Sequence, residues 1–117
     1  MIREIKSPNP DTLVYELDDY ITQYEIDIID IGIGNVLKNF DKVNLMIYID
    51  IKGENLGALI EMIEVELKHW NDIYKIAFIG DSKKGGALIK IENYFTKFKE
   101  RYFQIDELSK AWDWINE

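Results

Sequence analysis

At 117 residues the chain is long enough for one domain built around one hydrophobic core. Hydrophobic residues make up 47%, too many for a disordered segment, yet no apolar run approaches the roughly 20 residues of a membrane-spanning helix. Cysteine is absent and the single histidine is His69, which excludes disulfides, thiol catalysis, the usual zinc sites and any multi-histidine metal centre. The start, Met1-Ile2-Arg3-Glu4-Ile5-Lys6, lacks the apolar core of a signal peptide, so a cytoplasmic protein is expected.

The net charge of −8 is unevenly spread and argues against a dedicated nucleic-acid binder. Residues 7–37 contain no Lys or Arg but hold Asp11, Glu16, Asp18, Asp19, Glu25, Asp27 and Asp30. Residues 83–101 reverse the balance with Lys83, Lys84, Lys90, Lys97, Lys99 and Arg101. The plain account of both runs is two solvated helix surfaces.

In chain order, residues 1–6 read as a strand. Ser7-Pro8-Asn9-Pro10-Asp11 is a turn, because two prolines and three turn formers cannot continue it. Residues 12–17 form a second strand, giving an N-terminal hairpin. Asp18-Asp19 opens a helix over about 19–39, with Ile26, Ile29, Ile33, Val36 and Phe40 on its apolar stripe and Gly32 and Gly34 inside it. Each glycine costs roughly 1 kcal/mol there and leaves room for a bend or break, and Ile29 to Gly34 also fit strand alternation, but the stripe continues on both sides, so a helix is expected.

The stretch 43–80 organises the rest. Val43, Leu45, Ile47, Ile49 and Ile51 alternate, and the opposite parity (Asn44, Met46, Tyr48, Asp50) is apolar in its middle. Such a strand is covered on both faces, as in parallel sheets packed by helices. Lys52-Gly53-Glu54-Asn55 is a turn with Asn55 as helix cap. Leu56, Leu59, Ile60, Ile63, Leu67 and Trp70 then recur at helical spacing, and residues 74–80 form a second apolar strand. Strand, crossover helix and strand make a right-handed βαβ unit. A loop at 81–86 leads into a third helix over 87–98, with Leu88, Ile91, Phe95 and Phe98 on its stripe and Tyr94 beside it. Residues 99–105 are a last strand. Asp106 caps a final helix whose core face is Leu108, Ala111, Trp112 and Ile115. Trp114 lies about 200° from Trp112 around that helix, so one narrow stripe cannot bury both rings.

The order of elements, with the phrases LDDYITQYE, NLMIYIDIKG, KIAFIGD and RYFQIDELSKAWDWI, resembles the SpoIIAA-like family, which is related to STAS domains. The resemblance covers nearly the whole chain. It implies a single α/β domain, residues 1–117: a mixed, largely parallel five-stranded sheet with about four helices, an N-terminal β-hairpin followed by βαβαβα. STAS regulators of sigma factors carry a phosphorylatable Ser or Thr where the central strand meets its helix. Here that turn, Ile51-Lys52-Gly53-Glu54-Asn55-Leu56, has no hydroxyl. Glu54 would at most mimic a constant negative charge; the plainer account is an exposed turn residue.

Ligands of parallel sheets bind at the strands' carboxyl ends. That edge collects Asp50, Lys52, Glu54, Asp81, Ser82, Lys83 and Lys84. Asp50 with Asp81 would suit a hard cation, and residues 80–86 could wrap a phosphate. The competing accounts are helix caps, ion pairs with the lysines and a plain loop. A second face joins Lys90, Tyr94, Trp112 and Trp114, suited to an apolar ligand or an anionic membrane surface. No serine–histidine–acid set is suggested, and His69 reads as a surface residue on its helix. No metal and no cofactor is expected. The reading is a non-enzymatic STAS-like domain that binds a protein partner. The alternative is a domain that binds a small apolar ligand such as a lipid, or associates with a membrane surface.

Overall fold

Two parities of apolar residue on each central strand call for a sheet covered on both sides, and that is the architecture. The computed structural model describes residues 2–18, 21–50, 53–80 and 99–117, with the side chains of 50, 53–57 and 60 outside that description. Five strands, β1 (Ile2–Ile5), β2 (Thr12–Asp18), β3 (Val43–Asp50), β4 (Ile73–Gly80) and β5 (Glu100–Gln104), form one sheet in the order β1-β2-β3-β4-β5. β1 is antiparallel to β2, and every other pairing is parallel. The expected hairpin, the parallel β3–β4 pair and the mixed, largely parallel sheet are all present. Among the described residues there are three α-helices: α1 (Gln23–Val36), α2 (Gly53–Glu66) and α3 (Leu108–Ile115). The helix expected at 87–98 lies outside the described residues.

The register sorts side chains between two cores. Tyr15 and Leu17 of β2, Leu45 and Ile47 of β3, and Ile76 and Phe78 of β4 face α1 and α2. Val14, Met46, Ala77, Ile79 and Phe103 share the other face with Ala111 and Ile115 of α3. A one-residue slip in any strand would exchange these sets, so burial on both faces fixes the register.

The helix ends differ from the sequence expectations for identifiable reasons. α1 begins at Gln23 rather than at Asp19, because Asp18 still belongs to β2 and Thr22 occupies the cap. The Glu25 carboxylate takes the Thr22 backbone N–H at 2.8 Å and also its hydroxyl. α1 runs unbroken through Gly32 and Gly34 to Val36, and Phe40, expected on its stripe, lies beyond it at 38% exposure. Asn55 is not the cap of α2, since the helix already starts at Gly53. α2 stops at Glu66 instead of reaching Trp70, which opens a short 3₁₀ turn, Trp70–Asp72. Asp106 lies inside a 3₁₀ turn, Ile105–Glu107, that leads into α3. Glu107 makes the capping contact there, accepting the Gln104 N–H at 3.0 Å.

Candidate functional site

Because β2 to β5 run the same way, their carboxyl ends share one edge of the sheet. Asp18 and Asp50 stand level at the ends of β2 and β3, and Gly80 stands level with Gln104. α1, α2 and the turn before α3 all start from this edge. Its two capping glutamates are held below the usual carboxylate range. For Glu25 the cause is the hydrogen bonds it receives from the Thr22 hydroxyl and backbone. For Glu107 it is chiefly the Gln104 backbone N–H, with Lys110 adding to it at 3.5 Å. One row back, partial burial and the charge of Glu16 push the Tyr48 phenol up.

Of the residues expected to form a site here, Asp50 is the last residue of β3 and Glu54 lies in the first turn of α2; neither side chain is described. Lys52, Asp81, Ser82, Lys83 and Lys84 lie outside the described residues, as do Lys90 and Tyr94 of the second face. Among the described residues, no cluster of three or more His, Asp or Glu is arranged to hold a metal ion.

The other half of that second face is described. Trp112 and Trp114 both end up half-buried against the α3-side core, so neither ring is fully exposed. Trp114 packs on Phe103 with ring centroids 5.9 Å apart. The Lys75 ammonium sits 5.2 Å from the Trp114 ring and donates to the Trp114 carbonyl at 2.6 Å, neutralising the last turn of α3. Beside Trp114, β5 and α3 enclose an open groove of about 470 Å³. Its lining combines the aromatic Phe103 and Trp114 with the charged Arg101, Lys110, Asp113 and Glu117.

A third locus was not visible as one. Asp30, counted in the sequence among solvated acids, is only 7% exposed. Its carboxylate accepts the Lys68 N–H at 3.0 and 3.1 Å and the His69 N–H at 3.1 Å. Those amides would have continued the α2 ladder; bonding to Asp30 lets the chain leave the helix and ties α1 to its end. Lys42 and Lys99 each donate to the following turn, at the Asn71 and Trp70 carbonyls, both at 2.8 Å. His69 therefore sits past the helix, not on it, with Nδ1 3.2 Å from Asp72 Oδ2. The spacing Ile26-Asp30-Ile33 places Asp30 on the buried stripe of α1, a signal that could have marked it.

No helix among the described residues is long and apolar enough to cross a membrane. No curated protein and no solved structure matches the chain. The SpoIIAA-like family model matches residues 12–116, from the first residue of β2 to the residue after α3. With that match over nearly its whole length and the mixed five-stranded sheet beneath it, the chain belongs to the SpoIIAA-like family.

Proposed function

We propose that the chain is a non-enzymatic interaction domain of the STAS type that acts by binding a protein partner. The family match over residues 12–116 carries this reading, since such domains are regulatory modules that work through protein contacts. Residues 51–56, between the end of β3 and the first residues of α2, contain no Ser or Thr, so binding is not gated by a phosphate there. The charged lining of the β5–α3 groove favours a polar protein surface over a lipid chain, whose burial there would strip Arg101, Lys110, Asp113 and Glu117 of water without replacing it. The test is native mass spectrometry of the full chain isolated from its own cells. A complex with a polypeptide of defined mass is expected. A retained lipid would overturn the reading in favour of the apolar-ligand or membrane-surface alternative at Lys90, Tyr94, Trp112 and Trp114.

A further inference from the structure

We infer that the outward face of α1 is a docking surface for a cationic amphipathic helix of a partner protein. This rests on the partner-binding reading and adds to it the surface and the chemistry of what binds there. α1 is apolar on two sides. Its inner stripe, Ile26, Ile29 and Ile33, is fully buried on the sheet. On the outside, Tyr24 is 71% and Ile31 66% exposed. Two helical turns separate them, so they stand on one line about 10 Å apart, with the half-buried Ile28 about 40° to the side between them. Single surface hydrophobics need no explanation, whereas an aligned set on a helix already anchored by its opposite face is a contact surface in search of a partner.

The charge around this line decides the sign of the partner. Glu25 and Asp27 flank it, and the Gln23 amide donates to Asp27 Oδ1 at 2.9 Å, which holds that carboxylate at the edge of the stripe. No Lys or Arg occurs between residues 7 and 37; the first base is Lys38, past the end of the helix. An acidic partner is repelled and a basic one attracted. The spacing decides the shape. Side chains repeating every three to four residues along a rod interdigitate with a second helix of the same repeat. An extended strand would need free backbone groups, which a helix does not offer. The surface is also rigid before binding, because the Asp30 carboxylate pins α1 to the end of α2.

The test follows backbone amide shifts of the isotopically labelled full chain. The probes are a peptide of about 14 residues that forms a Leu/Lys amphipathic helix and a Leu/Glu peptide of the same pattern. The expected result is saturable binding of the Leu/Lys peptide, with shifts centred on residues 23–36, and no binding of the Leu/Glu peptide. The variant Tyr24→Ser/Ile31→Ser removes side chains that lie outside both cores, so its fold is retained, and its charge is unchanged. It should bind the Leu/Lys peptide about tenfold more weakly. Equal binding by this variant, or shifts scattered over all acidic surfaces, would show only general attraction to a chain of net charge −8 and would overturn the proposal. Shifts centred on the β5–α3 groove would also overturn it while leaving the partner-binding reading standing. A lipid retained in the native mass spectrum would remove that reading whatever the peptide does at α1.

Discussion

Gly32 and Gly34 lie two residues apart in α1, yet their surroundings ask opposite things of them. A Cβ on Gly32 would run into the Tyr15 hydroxyl and lie 3.2 Å from Leu13 Cδ1. Tyr15 cannot move aside, because it is fully buried in the core between β2 and the helices, where burial and the charge of Glu4 also push its phenol up. A Cβ on Gly34 would meet only His69 Nε2, at an ordinary 3.8 Å. In both cases alanine gains about 1 kcal/mol of helix propensity. At Gly34 that gain stands, so Gly34→Ala should stabilise the protein by about 0.5–1 kcal/mol in denaturant unfolding. At Gly32 overpacking costs about 1–3 kcal/mol and outweighs it. Gly32→Ala should therefore destabilise, and adding Tyr15→Phe should recover part of the loss by removing the obstructing oxygen. Equal effects of the two alanines would show that the Tyr15 contact does not set the requirement. From sequence the two glycines were alike, since the residue that distinguishes them sits on another strand.

At the scale of elements, the stripes were legible and the ends were not. Ile26, Ile29 and Ile33 on α1 and Leu59, Ile63 and Leu67 on and just after α2 are buried as their spacing requires. Where each helix starts or stops depends on single polar contacts: Glu25 with Thr22, Glu107 with Gln104, Asp30 with the amides after α2. Several residues were equally good candidates for each of these roles. The caps carry a pH dependence with a defined sign. Glu25 and Glu107 have folded-state pKa values below the ordinary 4.5, to which they return on unfolding. Their stabilisation is present above that ordinary value and is lost as pH falls through the lowered folded value. Glu25→Gln and Glu107→Gln should thus be less stable than the parent near neutrality and converge with it in acid, as read by denaturant midpoints across pH. A gap that stays constant with pH would rule out the carboxylate charge as its source. The stretch from the end of β3 into the first turn of α2 makes a second prediction. With Lys52, Gly53, Glu54 and Asn55 and no hydroxyl, it should stay unmodified when the protein is incubated with a kinase of the STAS phospho-switch type and its phosphopeptides are mapped. Stoichiometric phosphate on Ser82 would instead mean that the switch had moved to that residue.

At the scale of the molecule, the sheet was legible because β3 and β4 are apolar on both parities, which leaves little choice but a parallel core covered on two sides. The candidate site was less so. The carboxyl edge follows from topology, but the groove joins β5 to α3 and the Asp30 lock joins α1 to the end of α2, pairings that no local pattern encodes. β1 stands apart from the rest, because the family match begins only at Thr12, the first residue of β2. Its role is to close an edge. β1 pairs along β2 from Ile2↔Leu17 to Ile5↔Val14; Ile2 packs into one core and Ile5 into the other. It is short and carries exposed Arg3 and Glu4, with Arg3 2.7 Å from Glu16, features that discourage further strands from adding to it. The ion pair itself is exposed and adds little. Deleting residues 2–6 should leave the helical and strand signature in circular dichroism intact, because β2 to β5 keep their parallel pairings. It should lower unfolding stability by about 2–3 kcal/mol for the lost burial of two isoleucines. It should also bare the ladder groups of β2, so light scattering should show dimers or larger species that grow with concentration. A shortened chain that stays monomeric with an unchanged unfolding midpoint would mean that β1 neither supports the cores nor guards the edge.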